Sequence, residues 1–429
     1  MSTLKVNKLR DTAGSADAIT LDPNGGAVLA GVTTMTTARV TSGIVTNTFI
    51  VGAGVTISES GIEASGIGIT CANINGTQIG GRRNIVINGA MNVAQRSTSE
   101  SSLGASAGYF TLDRYRATFS STAGRLTMSQ VADVHDGFAN AMKLECTTAD
   151  TSIGSSEYFI LQHKFEGQDL QQLKKGSSDA EEFTVSFYVK GKANATYVVE
   201  MYDLDNNRQV GKTFSVTTSW TRVVLTFPAD TTGALDDDNA ASLQLGIWLH
   251  AGSNYTSGTL ATSWVSNVSA QRAGGITSFF DSTDRTFFLT GLQMEVGSVA
   301  TDFEHRSFGQ ELALCQRYYY QVTKVGSTSD VTNKPVALGI YYTGSDFRCL
   351  IEFPQEMRAQ PTFSSNDTSN SFYILTNNLA DFIDKLDGYN WTSKRAALRN
   401  TANVSGSAGD AGFLNQETGD SNLNFSAEL

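Results

Sequence analysis

Phe183-Thr184-Val185-Ser186-Phe187-Tyr188-Val189 alternates large apolar residues with hydroxyl-bearing ones. That period of two marks a strand with one face on a core. Working outward, similar text recurs at Thr196–Met201, Thr221–Phe227 and Ser242–Leu249. Turn-forming stretches separate these runs, among them Asp203-Leu204-Asp205-Asn206-Asn207 and Gly233-Ala234-Leu235-Asp236-Asp237-Asp238-Asn239. Many strands at short spacing, with no helical period between them, predict an antiparallel sandwich of jelly-roll type over residues 84–306.

The bulk of the chain agrees with an all-β reading. It has 429 residues, of which only 17% are charged, and roughly a fifth are Ser or Thr. With 23 Phe and 14 Tyr it is too aromatic for disorder and too poor in helix formers for a bundle. A formal charge of −11 leaves no basic stripe to displace counterions from phosphates, so no nucleic-acid partner is expected. Met1–Arg10 lacks the apolar run of a secretory leader, and nothing approaches 18 consecutive apolar residues, so no membrane insertion is expected. Cys71, Cys146, Cys315 and Cys349 are too far apart for a zinc motif and read as buried free thiols.

Before the sandwich the text changes character. Residues 1–26 form a short polar lead. From 27 to 83 the chain is Gly, Thr, Ser, Val and Ile with almost no aromatics, and Ser-Gly-Ile recurs at 42–44, 60–62 and 65–67. Four-residue alternating runs such as Val55–Ser58 and Ile67–Thr70 carry one thin apolar stripe, too little to be stable alone in water. Identical chains wound about a shared axis would cover it, with Ile44, Ile57, Ile62, Ile67 and Ile69 facing their copies. The expectation is a fibrous trimeric shaft. A flexible linker is the alternative, against which the density of Val and Ile argues.

After the sandwich, Ser307-Phe308-Gly309-Gln310 fits a capping box, and Phe308, Leu312, Cys315 and Tyr319 follow on one helical face. A short connecting helix is predicted within 307–322. The adjacent Tyr318-Tyr319-Tyr320 run reads as packing between subunits or onto the sandwich. Strand-like text then resumes at Val336–Tyr342 and Phe347–Phe353, and residues 323–429 read as a smaller C-terminal β-sandwich tip.

Several stretches resemble a known family. Asn84-Ile85-Val86-Ile87-Asn88-Gly89-Ala90-Met91-Asn92 resembles the opening of a carbohydrate-binding-like jelly roll found in tail fibre proteins of bacterial viruses. Leu112–Arg116, Phe183–Lys190 and Leu292–Gly297 continue the pattern, and Ala300–Ser307 with Glu311–Tyr319 is its most specific part. The shaft is similar to fibres of viruses infecting marine cyanobacteria. The resemblance implies a homotrimeric virion appendage whose N-terminus docks on other virion proteins and whose distal end meets host cell-surface polysaccharide. It implies a non-enzymatic adsorption protein located on the virion. A purely structural appendage or capsid decoration, and a glycan depolymerase, are the other readings.

The chemistry-bearing residues are sparse. His135, His163, His250 and His305 stand singly, in no GxSxG or HExxH spacing, so catalysis has no motif behind it. In the tip, Tyr341, Tyr342, Tyr389, Asn390 and Trp391 combine planar rings with an amide, the means of holding a sugar's apolar face and hydroxyls. Tyr389-Asn390-Trp391 follows Asp387-Gly388 and is expected in a loop. Asp203, Asp205, Asp236, Asp237 and Asp238 offer hard oxygens for a structural calcium, the one cofactor considered; solvated turns are the alternative.

Overall fold

The computed structural model describes residues 82–323, 333–365, 370–417 and 422–429, together with eight short strands between Lys8 and Gln78. The chain divides into two compact units, Met1–Cys71 and Ala72–Leu429. In the first, two three-stranded antiparallel meanders are described: Lys8–Arg10, Asp17–Leu21 and Ala27–Leu29, then Thr48–Val51, Val55–Ser58 and Gly61–Ala64. Ile57 pairs with Phe49 on one side and Ile62 on the other. Ile44, Ile67 and Ile69 lie outside the described residues.

The second unit opens with the two-stranded hairpin Asn73–Ile74 and Thr77–Gln78, and the predicted sandwich follows. Its seven-stranded sheet runs Gly108–Tyr109, Arg116–Ser120, Tyr158–Glu166, Ala241–Ala251, Ala195–Asp203, Arg208–Val216, Val265–Ser266. The facing six-stranded sheet runs Thr221–Phe227, Phe183–Lys190, Thr286–Val296, Ala141–Thr148, Arg125–Val131, Ser99–Leu103. Every pairing is antiparallel. Phe183, Val185, Phe187 and Val189 all enter the core between the sheets. Across it, Phe187 meets the edge of Phe214 at 5.1 Å and Tyr197 the edge of Phe287 at 5.8 Å, the tilted geometry that aromatic quadrupoles favour.

The strand Ala241–Ala251 is buried along both faces, which simple alternation would not give. Residues 252–277 fold over its outer side and form a satellite core in which Trp248, Val198 and Ile160 pack with Tyr255, Leu260 and Ile276. Glu200, almost fully buried, fixes this layer by accepting from Trp248 Nε1 at 2.9 Å and from Arg272 at 2.6 and 2.7 Å.

The capping box is present: Gln310 N–H donates to Ser307 Oγ at 3.3 Å, and Ser307 N–H to Gln310 Oε1 at 3.1 Å. The helix covers Phe308–Gln316, and it stops short of the tyrosines that its periodicity reaches. Tyr319–Gln321 is instead an edge strand on Leu423–Ser426, whose other neighbour is Thr362–Ser365. The reason lies in the tyrosine rings. Tyr318 and Tyr319 lie under the guanidinium groups of Arg114 (3.5 Å) and Arg96 (3.6 Å), which pins the chain to the sandwich before another helical turn can form. Phe308, predicted on the packed face, is exposed, while Cys315 is buried.

The C-terminal part sets that three-stranded sheet against a seven-stranded one ordered Leu379–Ile383, Phe372–Thr376, Ala411–Gln416, Lys334–Thr343, Asp346–Glu352, Arg395–Asn400, Asp387–Trp391. Its core holds Phe347, Ile351, Phe372, Leu398, Leu414 and Phe425. A polar seam joins it to the first sandwich. Arg114, 1% exposed, makes an ion pair with Glu428 and donates to Lys164 O at 2.7 Å. Arg317 grips Glu166 at 2.8 and 2.7 Å, and Tyr109 Oη donates to Leu429 O at 2.8 Å.

Asp113 sits in this seam with no solvent exposure. Burial pushes its carboxyl up to about 6, against the pull of Arg96 at 3.6 Å and of hydrogen bonds from Gln95. The folded state therefore takes up a proton here between pH 4 and 6. The stabilisation this gives is full below the ordinary carboxylate range and is lost as pH rises through 6. In thermal melts from pH 4 to 7, Asp113→Asn is expected to remove that part of the slope; an unchanged slope would assign it elsewhere. Cys146, Cys315 and Cys349 are buried free thiols; burial raises Cys146 to about 11 and Cys349 to about 12.

Candidate functional site

Four adjacent strands of the C-terminal sheet build the candidate surface. In register, Ile340 opposes Arg348, Arg348 opposes Arg399, and Arg399 opposes Asp387. Period-two alternation puts Tyr342, two residues from Ile340, on the same outer face as Arg348. A β-bulge between Gly388 and Asn390 re-aims the last strand, so that Tyr389 also meets Arg348. Gly388 is needed there because a Cβ would come within 2.5 Å of the Trp391 ring.

The result is a ladder of rings and cations. The Arg348 guanidinium lies 3.7 Å from the Tyr342 ring centre and 4.7 Å from that of Tyr389, and Arg399 flanks Tyr389 at 5.2 Å. Asp346 fixes Arg348 by accepting from Nε at 3.0 Å and Nη2 at 2.6 Å. Tyr342 and Tyr389 remain 58% and 49% exposed, enough to offer flat apolar area to a ligand. Beside the ladder, Phe413 pairs with Leu375 on one strand and Leu338 on the other, and all three are exposed.

Of the five aromatic and amide residues singled out in the C-terminal part, the structure brings Tyr342 and Tyr389 together, and Asn390 is exposed. Tyr341 points inward, next in sequence but on the opposite face. It is buried, its hydroxyl lies 3.0 Å from Asp381 Oδ2, and Gly406 lies so close to its ring that a Cβ would meet it at 2.3 Å. Burial, with help from Asp381, drives the Tyr341 phenol well above its ordinary range. Trp391 is half-buried on Phe363, its Nε1 donating to Pro361 O at 2.6 Å. The expected loop is the edge strand Asp387–Trp391, because its backbone finds a partner in Arg395–Asn400. Arg348 and Arg399, which complete the ladder, carry no local sequence signal; only strand order brings them to the tyrosines.

The acidic residues considered for calcium do not form an oxygen cage. Asp203 is fully buried and its carboxylate is taken by Lys175 at 2.5 Å and by Asn206. Asp205 accepts from the Asp236 backbone N–H at 3.0 Å, and Asp238 from that of Ala240 at 2.8 Å. Asp236, Asp237 and Asp238 are exposed in their turn. The carboxylates of Asp203, Asp205 and Asp238 shape loops, and that of Asp203 neutralises a buried lysine.

A cleft of about 760 Å³ lies elsewhere, lined by Arg82, Glu304, His305, Arg306, Gln310 and Arg317 among others. Two of its guanidinium groups are committed to structure: Arg306 donates to Val86 O and pairs with Glu311, and Arg317 holds Glu166. His305 packs against Phe303 and Phe138. Two of its cations are therefore already spoken for, unlike the exposed rings of Tyr342 and Tyr389. Among the described residues, no helix is long and apolar enough to cross a membrane.

No family model matches the chain, and no curated protein matches it either. Solved structures do. A CBM4 carbohydrate-binding module is similar over 49% of this chain and 97% of its own length, at 12% identity and a TM-score of 0.26. The family 11 carbohydrate-binding module of cellulosomal cellulase Lic26A-Cel5E from Clostridium thermocellum is similar over 49% of this chain and 99% of its own, at 12% identity and a TM-score of 0.24. The enzymatically active domain of tailspike protein 4 from bacteriophage CBA120 is similar over 50% of this chain and 21% of that one, at 11% identity and a TM-score of 0.26. Neither substrate nor role transfers to this chain at such depth.

Proposed function

We propose that the chain is a non-enzymatic, homotrimeric tail fibre of a bacterial virus, attached to the particle through residues 1–26 and binding host surface polysaccharide through its distal β domains. The observation that carries the binding part is the exposed Tyr342–Arg348–Tyr389 ladder. Rings of this kind stack on the apolar face of a sugar, and fixed guanidinium donors reach its hydroxyls. The fibre part rests on the sequence resemblance of Ala300–Ser307 and Glu311–Tyr319 to tail fibre proteins. Single sugar sites of this type are weak, on the order of 1 mM, and a trimer multiplies avidity by about 10² to 10⁴ where geometry allows.

The test is adsorption of purified protein to host cells, with competition against virus. Tyr342→Ala with Tyr389→Ala is expected to cut adsorption by at least tenfold, each ring contributing about 1 kcal/mol per site. The melting temperature should hardly move, because both side chains are exposed. Wild-type adsorption by the double variant would remove the ladder from the proposal. Failure of the wild type to adsorb, or sedimentation as a single chain, would remove receptor binding or the trimer. The apolar row Leu375–Phe413–Leu338 favours a second reading, a purely structural appendage whose tip face is covered by protein. Under that reading neither protein adsorbs.

A further inference from the structure

Three side chains that no sequence motif links converge at one end of the first sandwich. Asp150 follows the strand Ala141–Thr148 of the six-stranded sheet. Glu157 precedes Tyr158–Glu166, and His250 is next to last in Ala241–Ala251; both strands belong to the seven-stranded sheet. One ligand atom from each residue lies within 4.8 Å of the other two.

His250 has no solvent exposure, and its Nδ1 is 2.8 Å from Ser278 Oγ, which sets the ring orientation. The other ring nitrogen, Nε2, faces Glu157 Oε2 at 3.6 Å. Both of these atoms are buried, and neither has a hydrogen-bond partner. A separation of 3.6 Å is too long for a hydrogen bond. It is close to the edge of a tetrahedral site, about 3.3 Å for metal–ligand bonds of about 2.0–2.1 Å. Asp150 is oriented by Thr122 Oγ1 and Ala123 N–H on one oxygen, at 2.9 and 2.8 Å, and by Ser152 N–H on the other. Oδ2 thus accepts two hydrogen bonds and Oδ1 one, so Oδ1 keeps a further lone pair.

The electrostatics point the same way. Burial lowers the affinity of His250 for a proton, which favours the neutral imidazole. Burial, and then the neighbouring Asp150 carboxylate, raises Glu157. The Asp150 carboxylate, Glu157 Oε2 and the His250 Nε2 lone pair face one another with nothing positive from the described residues between them. The Phe280 ring, edge-on to His250 at 5.3 Å, supplies no charge of its own.

We propose that Asp150, Glu157 and His250 bind a zinc-class divalent cation, which staples the two sheets at this end of the sandwich. One imidazole and two carboxylates form a mixed nitrogen–oxygen set that suits zinc with one position left open. Calcium, which takes six to eight oxygens, is a poor match. This inference stands apart from the glycan reading, because it uses neither the tip nor a host.

The test uses the untagged full chain, stripped with chelator and dialysed. Zinc chloride is titrated by calorimetry and followed in thermal melts, with metal content measured by mass spectrometry. The expected result is one zinc per chain and a rise in the melting temperature of roughly 5 °C at saturation. Glu157→Gln, a near-isosteric change at a partly exposed side chain, should weaken zinc binding at least tenfold while keeping the fold. His250→Ala should abolish the thermal shift, and Ser278→Ala should weaken affinity roughly tenfold by freeing the ring. A hundredfold excess of calcium should not compete. No zinc uptake, equal uptake by Glu157→Gln and His250→Ala, or displacement by calcium would each overturn the proposal.

Discussion

Arg114→Ala is expected to cost about 3–5 kcal/mol of stability, read as a lower midpoint in urea unfolding. The loss has two sources. The substitution leaves Glu428 as a buried carboxylate deprived of its closest cation, and it strips the Tyr318 ring of the guanidinium stacked on it. Glu428→Gln keeps the shape and one acceptor, so a smaller loss of about 1.5–3 kcal/mol is expected. If both variants unfold like the wild type, the seam is not a stabilising contact. The same seam bears on any truncation: removing residues 323–429 would also remove Glu428, the carboxylate that Arg114 and Arg96 share. Lost adsorption in such a truncation would then report damage to the first sandwich as readily as loss of a binding face. Exposed-residue variants at Tyr342 and Tyr389 separate the two.

Lys175→Met should have an effect of similar size, again about 3–5 kcal/mol. Lys175 Nζ lies 2.5 Å from Asp203 and 3.0 Å from Asp230, and it donates to Gly233 O at 2.8 Å. Asp203 is fully buried, so the variant strands a carboxylate without its cation. Asp230 keeps Arg208 at 2.9 Å and suffers less. Burial alone would raise Asp230, but hydrogen bonds from Arg208 and Lys175 win, and its carboxyl stays below the ordinary carboxylate range. Its contribution to stability is therefore present above the ordinary range and is lost as pH falls through the folded value. The gap between wild type and variant should narrow in acid, as the Asp230 contribution is lost. A constant gap from pH 7 to pH 3 would show that lost packing over Trp264, not charge, explains the change.

Strands were legible wherever one side of the chain is oily and the other is not. Phe183–Val189, Thr221–Phe227 and Val336–Tyr342 all fall within observed strands. The capping box placed the start of the helix, since its signal is four residues long and local. Its end was not legible, because Tyr319 and Tyr320 are claimed by a strand about a hundred residues downstream. Tyr341 and Tyr342 look alike in sequence, yet alternation sends one into the core and leaves the other outside. Arg348, Arg399 and the trio Asp150, Glu157 and His250 gain their meaning from strand order, which no local spacing encodes.

The pairing of Arg114 with Glu428 spans 314 positions. A ribosome emits roughly 5–20 residues per second, so the arginine leaves the exit tunnel tens of seconds before the glutamate that neutralises it. Throughout that interval the nascent first sandwich carries Arg114 at its seam without the carboxylate that pairs with it. Chaperone occupancy of the emerging polypeptide should persist until Glu428 has emerged.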